Sequence, residues 1–155
     1  MLIGLTFADL GRAEAAIGAT RPELGDEEGF QEWSRRLSGT FLQDDGGPQA
    51  FALIPTFTDG AVSDPVGWTE AYGFSILDTE AVVEAGQPPG TVTSFVVRVT
   101  GADIDAAVST DPVWSSDLEV VEGEDGPYYQ WSTEGEVDPE RRGPGRPLGR
   151  GGLLA

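Results

Sequence analysis

Apolar residues recur along this chain in short bursts, and the spacing inside each burst predicts an element. From Thr6 to Gly18, Phe7, Leu10 and Ile17 fall on one helical stripe with Ala13 between them. Thr6 and Asp9 have capping-box spacing, Gly18 suits the stop, and Pro22 bars continuation. Gly11 within it costs about 1 kcal/mol of helix propensity. Asp26 to Leu37 reads as a second helix. Asp26 caps it, Glu27 and Glu28 sit at the positive end of the dipole, Arg35 and Arg36 at the negative end, and Gly39 follows. Phe30, Trp33 and Leu37 share a face, which predicts packing on the first helix as an αα-hairpin; such an aromatic stripe is more often packing than a ligand box.

Past the turn-rich linker Gln43–Gln49 the periods change. Ala50–Pro55 is a continuous apolar run, expected to be a buried strand. Asp64, with Pro65 at the first helical position, opens a short helix through Trp68 to Tyr72 that Gly73 stops. Asp78 is expected to cap another helix, Thr79–Ala85, ending at Gly86. The Pro88-Pro89-Gly90 corner terminates helical structure. Thr91–Val99 then alternates, with Phe95, Val97 and Val99 on one face and Val92, Val96 and Arg98 on the other. Thr100 and Asp103 repeat the capping spacing before Ile104, Ala107 and Val108, and Asp111-Pro112 ends that helix. Leu118–Glu122 and Pro127–Trp131 flank Gly123–Gly126 as a hairpin, with Leu118, Val120, Tyr129 and Trp131 expected inward. β-Branched and aromatic residues are densest from Gln87 to Trp131, so the sheet is expected to form around that stretch.

This order predicts an α+β fold: an N-terminal αα-hairpin, then a three- to five-stranded, mainly antiparallel sheet with helices on one face, in an order close to the ferredoxin-like one but with the last elements displaced. Residues 1–133 are expected to form one domain, divided into a helical hairpin (1–42), a linker (43–49) and a sheet-containing part (50–133). Residues 134–155 are read as an Arg/Gly/Pro-rich tail, flexible or the start of a further segment, and the chain as a fragment of something longer.

Composition changes the picture chiefly by exclusion. The 155 residues contain no Cys, His, Lys or Asn, so every basic side chain is Arg. Ser-His-Asp and Cys-His nucleophiles, thiolate or imidazole zinc sites, a P-loop lysine and lysine Schiff bases are therefore unavailable within the chain. No apolar run reaches the ~20 residues of a membrane span, and the N-terminus has neither the basic nor the continuous apolar region of a signal peptide. All 27 acidic residues lie at or before Glu140 with five arginines, whereas the last fifteen residues hold four arginines and no acid. The acidic body argues against direct binding to DNA phosphates. The tail sequence RRGPGRPLGRGG resembles an AT-hook, but Pro144-Gly145-Arg146-Pro147 lacks the basic residue that should follow Pro144, which removes one groove-entering arginine.

Carboxylates are abundant, but no spacing singles out a catalytic pair. The acid-rich loops Gln43–Gly47, Val121–Gly126 and Glu134–Glu140 miss the EF-hand register. No Gly-rich phosphate cradle follows a strand and opens a helix. No catalytic residue, metal ligand or cofactor is assigned. The run from Ala50 to Trp131 does resemble a pattern in uncharacterised secreted or lipid-anchored proteins of high-G+C bacteria. It is carried by Ala50–Pro55, Tyr72-Gly73-Phe74, Pro88-Pro89, Val92–Val99, Asp103–Val108 and Tyr129–Trp131. The resemblance implies an extracytoplasmic rather than a cytoplasmic setting and no activity. The expected function is a non-catalytic binding or interaction domain for a protein or small-molecule partner. The alternatives are a carboxylate-dependent hydrolase or carbohydrate-active module, and an acidic mimic of nucleic acid. Trp68, Tyr72, Trp114 and Tyr128 are the candidate surface-recognition residues, being large aromatics on short helices, loops or an outward strand face.

Overall fold

The computed structural model describes residues 4–38, 48, 50, 64–87, 90–111, 118–124, 126–131, 136–141 and 152–154. In chain order the elements are β1 (Gly4–Asp9), α1 (Leu10–Ile17), α2 (Glu27–Ser38), α3 (Pro65–Tyr72), a 3-10 turn (Ile76–Asp78), β2 (Thr79–Gln87), β3 (Gly90–Val97), α4 (Gly101–Thr110), β4 (Leu118–Gly123), β5 (Gly126–Trp131), a second 3-10 turn (Pro139–Arg141) and β6 (Gly152–Leu154). The class is mixed α+β. Among the described residues there are two three-stranded sheets, β1-β2-β3 and β4-β5-β6, with every pairing antiparallel. This corrects the expectation of a single sheet. The strand order also differs from ferredoxin-like order: in a split βαβ another strand separates the first two, whereas here β1 and β2 are direct antiparallel neighbours.

Two helix predictions need correction at the first sheet. Gly4–Asp9 is a strand, so the first helix starts at Leu10, and Asp9, not Thr6, caps it by accepting the Arg12 N–H. Gly18, at φ 62°, ends the helix as expected. Thr79–Ala85 is not a helix but part of β2, the central strand, hydrogen-bonded to β1 on one side and β3 on the other. Its Ala and Glu content suits a helix locally, yet pairing on both edges and burial of Val82 override that preference. Asp78 serves the preceding turn instead, accepting the Ser75 N–H at 2.8 Å and the Ser75 hydroxyl at 2.7 Å.

Helices α2, α3 and α4 follow their sequence signals. Asp26 accepts the Gly29 N–H and Asp64 the Gly67 N–H; Gly73 closes α3 at φ 74°; Thr100 donates through both its N–H and its hydroxyl to Asp103. One core collects Leu10 and Ile17 from α1, Trp33 and Leu37 from α2, Trp68 and Tyr72 from α3, Phe74, Ile76 and Leu77 after it, and Val108 from α4. These side chains cover the inner face of the first sheet, where Ala8 and Val82 are buried and Phe95 and Val97 partly so. Helices α1 and α2 are tied by polar bonds as well: Trp33 Nε1 donates to Glu14 at 2.7 Å, and Arg36 donates to the Ile17 carbonyl at 2.6 Å.

The hairpin β4–β5 forms as read, but with a tighter turn, since Gly123 pairs directly with Gly126. Leu118 and Tyr129 pack on the core edge, and the Tyr129 hydroxyl donates to Asp105 of α4 at 2.7 Å. Val120 is not inward as expected; it is 63% exposed although its cross-strand partner Tyr129 packs on the core edge. The tail is not wholly separate from the fold, because Gly152–Leu154 pairs with Tyr129–Trp131 as β6. The strand expected at Ala50–Pro55 falls outside the described residues apart from Ala50, as do Pro88-Pro89 and most of the AT-hook-like tail.

Candidate interaction surface

Strand side chains alternate, so the register of the first sheet sorts its residues into two faces. Ala8, Val82 and Phe95 lie side by side on the inner face. The outer face then has three levels across β1, β2 and β3: Leu5–Ala85–Val92, Phe7–Val83–Ser94 and Asp9–Ala81–Val96. An antiparallel sheet with one wet face ordinarily alternates apolar-in and polar-out. Here the outer face is largely apolar too, while the inner face is apolar at Ala8, Val82 and Phe95 and polar at Thr6, Glu84 and Thr93. Leu5 is 72% exposed, Phe7 62%, Val92 69% and Val96 60%. Scattered exposed hydrophobics need no explanation, but here the exposed set spans three paired strands on one face.

The chain carries −18 overall, but few of those charges lie on the described levels of this face. Among the residues of the three levels Asp9 alone is ionisable. Next to it Glu80 is ion-paired with Arg98. The opposite end is formed by Gly4, Gly86, Gln87 and Gly90, which bring no charge. The acids of α2 (Glu27, Glu28, Glu32) and of β4 (Glu119, Glu122) belong to other elements.

An open cleft of about 600 Å³ lies between the residues before α2, the end of α3 and the start of α4, and Arg21, Ser75, Asp78, Arg98 and Asp103 line it. Its charges are largely committed to structure. Arg21 donates to Glu14 at 2.5 Å and to the Leu77 carbonyl at 2.6 Å, and Arg98 is held by Glu80. Arg21 Nη2 is buried with no partner among the described residues. Asp78 and Asp103 are both capping-box acceptors. The hydroxyl hydrogen bond from Thr100, followed by its backbone N–H, holds the Asp103 carboxyl below the usual carboxylate range. That direction is opposite to the one a general acid requires.

The sequence-based recognition residues are not brought together. Trp68 and Tyr72 are 1% and 3% exposed, which corrects their assignment to a surface. They stack on each other at 4.6 Å between ring centroids and pack around Phe74, because α3 turns that side toward the first sheet. Tyr128 is half-buried on β5, beside Val121 and on the face opposite Tyr129. Trp114 lies outside the described residues. The face that does stand out was half legible: Val92 and Val96 do share a face, whereas Phe7 and Val83 were hidden by the helical readings of β1 and β2 and Leu5 lay before the predicted helix. The signal that could have found them is the period of two in Leu5–Phe7 and Ala81–Val83–Ala85.

Among the described residues, fold and surface define a mixed α+β protein with two antiparallel sheets, one of which exposes Leu5, Phe7, Val92 and Val96 on its outer face. Comparison of the chain with models of known protein families, with curated proteins and with solved structures finds no match. Among the described residues no helix is long and apolar enough to cross a membrane.

Proposed function

We propose that this chain is a non-catalytic interaction domain whose docking surface is the outer face of the first sheet. The observation that carries the reading is the exposure of Leu5, Phe7, Val92 and Val96 on one register-defined face, the reverse of which is buried in the core at Ala8 and Val82. Four large apolar side chains held in water forgo stabilisation of roughly 1.5–3 kcal/mol each, and a partner that covers them recovers part of it. The hydrolase alternative draws no comparable support, since the carboxylates in the cleft cap turns and helices.

A photo-crosslinking phenylalanine analogue placed at Phe7 in the full chain tests the proposal in the source cells. A discrete adduct from position 7, absent when the analogue replaces Glu119, is the expected result. No adduct from position 7, or equal yields from both positions, overturns it. Phe7→Asp supplies the structural control: little burial is lost there, so the melting temperature should hold within a few degrees.

A further inference from the structure

We propose that the edge of β5 is a strand-addition site for an extended aliphatic segment of a partner protein, and that Gly152–Leu154 of this chain is its intramolecular occupant. The site is separate from the outer face of the first sheet. β5 is the middle strand of the second sheet, with β4 along its length on one side and β6 on the other. β6 runs antiparallel to it and sets Gly152 against Trp131, Leu153 against Gln130 and Leu154 against Tyr129. The main chain of β5 thus already takes up an added strand on that edge, which is the way a sheet edge binds a peptide.

The resident strand is held lightly. β6 has three residues where β4 and β5 have six each, so it covers half of the β5 edge. A pairing that short belongs to the low-stability end of the openings a fold undergoes. Residues 142–151 tether it to the 3-10 turn Pro139–Arg141. A tether of that length holds a strand at an effective concentration on the order of 1 mM, so the same segment supplied from outside must bind with a Kd of about 1 mM or below for the tethered one to dock. The occupant in place also shows the chemistry that fits. Gly152-Leu153-Leu154 is small, aliphatic and uncharged, and Arg141, Arg142, Arg146 and Arg150 precede it without an acid among the last fifteen residues. Glu119 and Glu122 are exposed on β4, the strand paired with β5. Their charge favours an aliphatic segment with arginines on its N-terminal side, the pattern of the resident strand.

Amide ¹H–¹⁵N spectra of the full chain carrying Leu153→Pro and Leu154→Pro together test this. The two prolines remove backbone N–H groups from β6 and release it. Circular dichroism confirms that the rest stays folded, and Leu153→Gly with Leu154→Gly replaces the pair if it does not. The synthetic peptide Gly-Arg-Gly-Gly-Leu-Leu-Ala is expected to shift the amides of Tyr129–Trp131 in the variant, half-saturating at about 0.1–1 mM. It should bind the wild type several-fold more weakly, because the resident strand competes. The same peptide with Pro-Pro in place of Leu-Leu should not bind. No shift in β5 of the variant up to about 5 mM peptide overturns the site. Equal binding by variant and wild type overturns the resident strand as occupant, and binding of the Pro-Pro peptide overturns main-chain pairing. Sedimentation equilibrium settles who supplies the strand: a wild-type dimer that the double substitution abolishes assigns the edge to a strand exchanged between two copies and overturns the partner segment.

Discussion

Loss of the Glu14 side chain should cost this protein heavily. It projects from α1 into a site where its side chain and that of Arg21 are each 10% exposed. One oxygen, Oε1, accepts from Arg21 Nε at 2.5 Å and from Trp33 Nε1 at 2.7 Å, which joins α1, the segment after it and α2. Arg21 also reaches the Leu77 carbonyl, so the bond extends to the turn before β2. Glu14→Ala leaves a guanidinium buried against one carbonyl and an indole N–H without its acceptor. Breaking a buried pair from one side costs about 3–5 kcal/mol, and the orphaned indole about 1–3 kcal/mol. The two overlap, so about 4 kcal/mol is the expected loss. For a chain of this size that lowers the melting temperature by roughly 8–16 °C. Urea unfolding followed by circular dichroism measures it, with Glu14→Leu/Arg21→Met as the partner experiment. The double variant removes both charges and should lose clearly less than Glu14→Ala, because no lone buried charge remains. A Glu14→Ala loss below about 1 kcal/mol, or a double variant no better than the single, would refute the reasoning.

Gly73 and Gly18 both end helices at positive φ but differ in surroundings. A Cβ at Gly73 would lie 2.5 Å from the Asp103 carbonyl oxygen and 3.0 Å from Ile104 Cα, whereas Gly18 has nothing within 4 Å. Gly18→Ala should therefore cost about 1 kcal/mol of backbone strain alone, and Gly73→Ala roughly 3 kcal/mol or more because α4 must also shift; equal losses in thermal melts would refute the close approach. The hydrogen bond to Asp105, with smaller contributions from burial and from that carboxylate's charge, holds the Tyr129 hydroxyl above its ordinary value of 10.0. A raised folded pKa means that the stability is fully present below pH ~10 and is lost as pH rises through the folded value. Asp105→Asn should bring the tyrosinate absorbance of Tyr129 to lower pH, and an unchanged titration would show that the contact contributes nothing in solution.

How much was legible depended on the range of the interactions. The caps Asp26, Asp64 and Thr100–Asp103, and the stops at Gly18 and Gly73, involve partners three to five residues away, and all stand where their spacing put them. The alternation from Val92 to Val99 was equally local and gave both faces of β3. The recognition residues failed for the opposite reason. Trp68 and Tyr72 lie on a helix too short for its buried side to be told from its exposed side, and only the placement of Phe74 and Phe95 reveals that they face inward.

By itself, then, the order of residues determined the helix ends, the alternating strand, the hairpin and the chemistry that is unavailable without Cys, His or Lys. Tertiary structure decided that Thr79–Gln87 is a strand, that β1 precedes the first helix, and that the strands divide into two sheets. The physical reason is that β pairing is settled by partners far away in sequence: β2 is extended because β1, some seventy residues earlier, and β3 hold its two edges. The bare face formed by Leu5, Phe7, Val83, Val92 and Val96 exists only through that pairing, so no local pattern could disclose it whole.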